Sequence, residues 1–238
     1  MFDNIRIPPV VKNLLIINVL FFIVTYLTVS RDNYIMVEKF SVFYFDSPLF
    51  KIWQPITYMF MHSPNNVFHI MFNMFGLFSI GSVLEDRWGS KRFLNFYFIT
   101  GLGALGLQWA VQAFEVHQIL GSITQGGSDR LATLAPELLS KLGNIYNSPM
   151  LGASGAIFGL FIAFGMLYPD AELYVMLIPI PLKAKYVMPC YILLELYLGV
   201  QNSSGDSVAH FAHLGGALIG FILVKLWKDK NTFYDYYE

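Results

Sequence analysis

Long apolar runs, separated by short polar turns, constrain the fold of this chain more than any motif in it. The sequence has 238 residues, of which 55% are hydrophobic and only 13% are charged. A typical soluble domain has about twice that charged share. A helix needs about 20 mostly apolar residues to cross a bilayer, so the length suits about six spans with their loops. We therefore predict an all-α fold, a polytopic membrane helix bundle with six transmembrane helices.

The predicted spans are separated by turns that contain charges, proline or glycine. Their approximate ranges are 13–29, 65–84, 93–114, 150–168, 186–200 and 207–227. We expect one membrane domain over 13–227, between short tails at 1–12 and 228–238, with a long external loop over 115–149 that contains a short helix near Leu131–Leu142. The first run is interpreted as a retained span, because no small-x-small cleavage site follows it. The aromatic segment 30–64 is expected to lie in the membrane interface.

Lysine and arginine residues in the short loops predict the orientation of the spans. They occur in both tails, in the turn after span 2 and in the connection after span 4: Arg6, Lys12, Arg87, Lys91, Arg92, Lys183, Lys185, Lys228 and Lys230. With six spans all of these segments lie on one side, whereas the turn between spans 5 and 6 has neither residue. We therefore expect both termini in the cytoplasm and a multi-pass protein of the bacterial inner membrane.

The net charge and the cysteine content narrow the function only slightly. The net charge is −1, so the chain lacks the basic surface that would predict a nucleic-acid partner. The single cysteine, Cys190, has no internal disulfide partner, so the redox compartment stays open. We expect it to be an ordinary core residue of span 5.

A serine between small residues, Gly152-Ala153-Ser154-Gly155, lies at the start of span 4. Small residues allow another backbone to come close in a membrane. A serine hydroxyl is a weak nucleophile until a base takes its proton, so catalysis by Ser154 needs a base from another span at the same depth. The alternative is a serine that merely pads a helix contact, and taken alone that interpretation would be favoured.

Polar side chains in two other spans lie at a similar predicted depth. They are His213 in span 6 and His69 and Asn73 in span 2. Each is one or two turns from the external end of its span, roughly 6–12 Å at 1.5 Å per residue. Polar groups within spans are costly and mark functional sites. The sequence therefore predicts one site built from three helices.

The spacing within the spans agrees with this interpretation. His213 and Gly216 share a helix face, as do Gly155 and Gly159. Two small faces would let spans 4 and 6 approach closely. Such an approach is needed for a Ser–His hydrogen bond of roughly 2.6–3.2 Å. We expect a bulky side chain at Gly159 to separate His213 from Ser154.

Taken together, these residues resemble the rhomboid family of intramembrane serine proteases. The similarity rests on three motifs, on the aromatic first loop and on the six-span layout. The motifs are Gly152-Ala153-Ser154-Gly155, His213-Leu-Gly-Gly216-Ala-Leu-Ile-Gly220 and His69-x-x-x-Asn73, with the turn Glu85-x-x-Trp88-Gly89. The resemblance extends from about Asn13 to Leu226.

The resemblance implies a serine endopeptidase that cleaves transmembrane helices of membrane-protein substrates near the external face. It implies a dyad, with Ser154 as nucleophile and His213 as general base. Asn73, His69 and the backbone N–H of Ser154 would form the oxyanion site, and Phe158 would stack under the histidine. The implied substrates are single-span or multi-span proteins of the lipid bilayer. The implied reaction needs no cofactor. A cap at the turn between spans 5 and 6, and a mobile span 5 that controls substrate access, are implied as well.

Several roles are open to simpler interpretations. His213 and His69 could be structural, and Asn73 could join helices. His210 is one turn above His213 but lacks the following Gly-x-x-x-Gly register, so it is assigned a supporting role. A dyad is expected rather than a triad, because no Asp or Glu is placed to orient the second nitrogen of His213; Asp206 lies in the turn above.

Alternatives to a protease are also open. A metal site formed by His62, His69, His210 and His213 is one alternative, but the chain has no His-Glu-x-x-His motif and the inner spans have no carboxylate near these histidines. A catalytically silent relative that binds membrane clients typically lacks the serine or the histidine, and a transporter needs a polar path through the whole bilayer. The chain departs from the family at Gln54, where arginine is common after tryptophan, and at Phe158, which lacks a hydroxyl. The 115–149 loop has no functional account.

Overall fold

Helices make up nearly all of the regular structure of the protein. The computed structural model describes residues 6–29, 34–126, 129–174, 180–201 and 209–227. Three predicted features lie wholly or partly outside these ranges: the start of the N-terminal tail, the capping turn between spans 5 and 6, and the tail 228–238.

Six helical segments correspond in order to the six predicted spans. The helices are α1 (Pro9–Thr28), α2 (Ile35–Phe40), α3 (Gln54–Thr57), α4 (Val67–Gly76), α5 (Ser82–Trp88), α6 (Ser90–Leu120), α7 (Pro136–Asn147), α8 (Ser154–Leu167), α9 (Ala184–Gln201) and α10 (His210–Leu226). A π-helical turn, Leu77–Gly81, joins α4 to α5 into one segment. Short 3₁₀ turns lie at Tyr58–Phe60 and Asp129–Thr133. Strands β1 (Glu172–Tyr174) and β2 (Pro181–Lys183) pair antiparallel, with Leu173 opposite Leu182.

The composition of these helices confirms a polytopic membrane helix bundle. By length and apolar content, α1, the α4–α5 segment and α6 can cross a bilayer, and α8 and α10 are shorter apolar helices. Large apolar side chains are exposed on the outside of the bundle, for example Leu27, Phe75, Val200 and Leu226. Exposed apolar surface on this scale is unfavourable in water and suits a lipid environment.

The first helix begins four residues earlier than predicted because another part of the chain caps it. Pro9 occupies the first helical position, where its missing N–H costs nothing and its fixed φ suits the helix. The Glu85 carboxylate accepts hydrogen bonds from the backbone N–H groups of Val10 at 3.0 Å and Val11 at 2.7 Å. Two of the unsatisfied N–H groups at this helix start are thereby paired, and α1 is tied to α5.

Many described residues of the aromatic segment 30–64 pack into the bundle, while others are half-buried or exposed. Tyr44, Tyr58 and Met59 are almost fully buried, and the Tyr58 hydroxyl donates a hydrogen bond to the Gly101 carbonyl at 2.7 Å. The side chain of Gln54, at the position where arginine is common, is buried. It donates hydrogen bonds to two loop carbonyls and accepts one from a loop N–H, so it fixes the loop backbone.

The 115–149 loop contains the predicted short helix, which lies about five residues further along the chain than predicted. The helix α6 continues to Leu120, and α7 occupies the end of the segment. One face of α7, including Leu142 and Tyr146, packs against Tyr44 and Val116 in a separate apolar cluster. This loop is therefore docked on the first loop and the end of α6.

The packing of α8 against its neighbours depends on glycine. A Cβ atom on Gly216 would overlap the carbonyl oxygen of Gly155, and one on Gly220 would lie 2.8 Å from the Gly159 Cα. Real Cβ atoms do not approach so closely, so α10 lies with its backbone against the backbone of α8. A Cβ on Gly159 would instead lie 2.6 Å from Cγ2 of Thr100 in α6. The prediction that a side chain at Gly159 enters the α8–α10 interface is therefore wrong; it would push against α6.

The helix α9 buries far fewer of its residues than α8 does. Its buried residues are Ala184, Met188 and Glu195. The cysteine in it, Cys190, is exposed, so the prediction of a core position is wrong, because the residue lies on the outward face of α9.

Candidate active site

Ser154 is the first residue of α8 because Met150 and Gly152, just before it, are held in non-helical conformations. Met150 pairs with Val42 in an antiparallel bridge, with hydrogen bonds of 2.8 and 2.9 Å, so the predicted span 150–168 begins four residues later. Gly152 has φ +131°, a conformation that residues with a Cβ rarely adopt. The first N–H groups of a helix have no acceptor within it, so donors are concentrated around Ser154.

His213 lies one turn into α10 and faces Ser154. Its Nε2 is 2.8 Å from the Ser154 Oγ, a hydrogen-bond distance. The ring of Phe158 stacks on the imidazole, with centroids 4.2 Å apart and planes 8° from parallel, and Tyr191 of α9 stacks against Phe158 at 5.3 Å. The imidazole plane is therefore fixed by stacking, as the sequence indicated for Phe158.

A carboxylate also contacts His213, so the expectation that no Asp or Glu is placed beside it is wrong. Oε2 of Glu195 in α9 lies 3.0 Å from Nδ1 of His213 and 2.6 Å from Nδ1 of His210. The signal in the sequence was a single glutamate within an apolar run, Leu193-Leu194-Glu195-Leu196, and charges within spans indicate function. The rotation of α9 about its axis, which decides what Glu195 faces, cannot be read from that run.

The predicted oxyanion residues lie in α4 beside the start of α8. Nε2 of His69 would be 2.9 Å from a Cβ on Gly152, and the Ser154 Oγ would be 3.4 Å from the same point. The missing side chain of Gly152 thus leaves a small space between the two polar atoms. Asn73 is nearly buried, and its Nδ2 donates a hydrogen bond to the His69 carbonyl at 2.7 Å, so one of its amide hydrogens is used within α4.

Behind His69 lies His62, which is fully buried with its ring centroid 5.1 Å from that of His69. Burial, with a smaller contribution from His69, lowers the pKa of His62 to about 3. It is therefore neutral at physiological pH and supports the neighbouring ring without adding charge. Of the four histidines of the alternative metal site, His210 and His213 lie beside a carboxylate in the described part of the chain, so the expectation of no carboxylate near them is wrong. Together with Glu195 they form a group whose ligand atoms are all within 4.8 Å of one another.

Comparisons with known proteins identify the family to which this chain is similar. The family model of the Rhomboid domain matches residues 49–229. Rhomboid protease AarA of Providencia stuartii is 29% identical over 177 residues, which cover 72% of this chain and 54% of that protein. Rhomboid-like protease 3 of Toxoplasma gondii is 28% identical over 175 residues, covering 74% of this chain and 51% of that protein.

One of the relatives is named as a mitochondrial protein, so the similar proteins come from more than one kind of membrane. Rhomboid protein 1, mitochondrial, of Saccharomyces cerevisiae is 26% identical over 165 residues, which cover 67% of this chain and 38% of that protein. The chain thus spans about half, or less, of the length of these three relatives. Because they come from a bacterium, a parasite and a mitochondrion, they do not support the expectation of a bacterial inner membrane over another membrane. The match over most of the chain shows that this integral membrane protein belongs to the rhomboid family.

Proposed function

We propose that this protein is an intramembrane serine endopeptidase that hydrolyses peptide bonds in transmembrane helices of membrane-protein substrates. The observation that carries the proposal is the 2.8 Å contact between the Ser154 Oγ and Nε2 of His213. A nucleophile within hydrogen-bond reach of a base is the arrangement that covalent catalysis needs. Two relatives are themselves named as proteases, which agrees with this assignment.

The reaction proceeds in two steps. The Ser154 Oγ attacks the substrate carbonyl carbon while His213 Nε2 accepts its proton. The carbonyl electrons move to oxygen, and on their return the C–N bond breaks as His213 donates the proton to the leaving amine. Water then attacks the acyl-serine with His213 again as base, which releases the carboxylic acid and restores Ser154.

The negative oxygen of the intermediate needs donors. We assign this role to the backbone N–H of Ser154, to His69 and to the amide of Asn73, around the space beside Gly152. In soluble enzymes, the loss of one such donor typically costs about 3–4 kcal/mol of transition-state stabilisation. The sparse packing of α9 supports substrate access next to that helix.

The residues of the site lie near the N-terminal ends of α4, α8 and α10. These ends are opposite the N-terminus of α1 if the helices alternate through the bilayer. We therefore propose that residues 13–227 form the catalytic unit, that both termini are cytoplasmic, and that cleavage occurs near the opposite face. A substrate helix has its backbone hydrogen bonds satisfied internally, so it must unwind locally before Ser154 can attack.

Cleavage of a reporter transmembrane substrate in proteoliposomes tests the proposal. We expect Ser154→Ala to lower cleavage by at least about a thousandfold, because no other group supplies the nucleophile. Ser79→Ala is the matched control, since this serine hydroxyl bonds its own helix at the Phe75 carbonyl and should leave cleavage unchanged. Equal cleavage by the wild type and Ser154→Ala would contradict a protease centred on this serine.

A fluorophosphonate probe tests the base independently of any substrate. Labelling of Ser154 should fall strongly in His213→Ala, because the hydroxyl then lacks a proton acceptor. Undiminished labelling in this variant would contradict the role of His213.

A further inference from the structure

Two histidines converge on one buried carboxylate oxygen beside the proposed site. The Glu195 Oε2 is 2.6 Å from Nδ1 of His210 and 3.0 Å from Nδ1 of His213. The side chains of His210 and Glu195 are each 8% exposed, and that of His213 is 12% exposed. A buried charged group persists only where it is paired and hydrogen-bonded, so this cluster has a defined arrangement of protons.

The protons of this cluster determine the tautomer of His213. An ionised carboxylate accepts hydrogen bonds and donates none, so both Nδ1 atoms that contact Glu195 carry a hydrogen. A neutral imidazole has one protonated and one bare nitrogen. His213 therefore presents a bare Nε2 to Ser154, which is the form that can take the proton from the hydroxyl.

The carboxylate also acts once the proton has moved. When Ser154 loses its proton, His213 becomes a cation, and Glu195 lies at hydrogen-bond distance from it. An opposite charge at this range is worth more in a buried site than in water, and it is in place before the reaction begins.

The distances favour hydrogen bonding over metal coordination. Zinc holds nitrogen and oxygen ligands at about 2.0–2.2 Å in a tetrahedron, so two ligand atoms lie more than about 3 Å apart. The 2.6 Å contact between Glu195 and His210 is shorter than that and matches a charge-assisted hydrogen bond.

We propose that Glu195 is a positioning residue of the protease, which holds His213 in the tautomer with a basic Nε2, and that His210 fixes the carboxylate as a second donor. This proposal rests on the proposed function and adds a third member, carried by α9, to the pair on α8 and α10. The orientation of the base then depends on how α9 is docked.

The test compares Glu195→Gln and Glu195→Asp with the wild type in the full-length chain. The control is Glu137→Gln, the same change at an exposed carboxylate of α7. We expect Glu195→Gln to lower kcat by roughly tenfold if only the negative charge beside His213 is lost. We expect a loss of up to about 10⁴-fold if His213 also changes to the other tautomer. KM should stay nearly constant, because Glu195 acts through His213. Glu195→Asp should recover part of kcat, since it keeps the charge.

Nitrogen-15 NMR of histidine-labelled protein supplies a readout that does not need activity. In the wild type, His213 should carry its proton on Nδ1, and Glu195→Gln should lose this preference. An unchanged kcat and tautomer in Glu195→Gln would overturn the proposal, as would losses of kcat and unfolding temperature that Glu195→Asp does not recover. Stoichiometric metal in the purified wild type that is absent from Glu195→Gln would overturn it in favour of a metal site. Failure of the proposed protease function would appear separately, as cleavage unaffected by Ser154→Ala.

Discussion

The two nitrogens of His213 contact parts of the molecule that are packed very differently. Nε2 faces Ser154 on α8, and the backbones of α8 and α10 are in contact through Gly216 and Gly220. Nδ1 faces Glu195 on α9. This helix has few buried residues, and its outward face carries the exposed side chains of Leu193 and Val200.

This difference in packing means that the Ser154–His213 distance and the orientation of the His213 ring are controlled by different helices. The distance between the proposed nucleophile and the proposed base is set by contact between two helix backbones, which has almost no freedom to adjust. The orientation of the base is set through a helix that can be displaced at lower cost, since local stability follows the amount of buried contact. Substitutions in the two regions should therefore differ in what they damage.

Among substitutions that alter only helix packing, the largest effect is expected from Gly216→Ala. Its Cβ would overlap the Gly155 carbonyl oxygen, so α10 must move away from α8. A misplacement of about 1 Å can cost roughly 100-fold in rate, and overpacking costs about 1–3 kcal/mol of stability. We expect both losses in cleavage assays and in thermal unfolding in detergent.

The control for this substitution is Gly106→Ala in α6. A Cβ there would meet nothing within 4 Å, so stability and cleavage should match the wild type. Wild-type cleavage by Gly216→Ala would show that the helix distance does not control the dyad.

A smaller effect is expected from Met188→Ala on α9. Met188 is buried, and its Cγ packs 2.7 Å from the position that a Cβ on Gly165 would occupy. Its loss should loosen α9 and lower kcat by roughly threefold to tenfold, well below the effect of moving the dyad itself. Hydrogen exchange should rise in α9 and stay unchanged in α8.

Leu193→Ala is the matched control, because this residue lies on the same helix and is 65% exposed. Equal exchange in the two variants, or faster exchange in α8, would mean that the two regions are not independently packed.

The smallest effect is expected from Asp170→Asn, at the other end of α9. The Asp170 carboxylate contacts Lys185 at 2.7 Å and Lys183 at 3.2 Å, and these hydrogen bonds hold the pKa of Asp170 below its usual value. Exposed ion pairs contribute little, so kcat should change by about twofold or less.

The effect of Asp170→Asn on the unfolding temperature should depend on pH. A carboxyl with a depressed pKa in the folded state stabilises the fold at neutral pH and stops doing so as the pH falls through that pKa. Any difference in unfolding temperature between the wild type and Asp170→Asn should therefore vanish in acid. A difference that grows on acidification would contradict the pairing.

Much of the site could be predicted because its signals are local. Apolar runs indicate spans, and the depths of Ser154 and His213 follow from counting residues along those runs. Other features depend on distant partners. The start of α8 is delayed by pairing between Met150 and Val42, and the role of Glu195 depends on the rotation of α9. The Cβ positions of Gly155 and Gly159 point toward α6, whereas the backbone of these two residues contacts α10. Sequence spacing identifies a shared helix face but not all of its neighbours.

The carboxylate that caps α1 also bears on the order of biogenesis. The N–H groups of Val10 and Val11 bond to Glu85, which follows them by 75 and 74 residues. At about 5–20 residues per second of synthesis, the first span leaves the ribosome roughly 4–15 s before its cap is made. The N-terminal end of α1 therefore acquires these two hydrogen bonds only after the second span has been translated, so α1 enters the membrane before its start is capped.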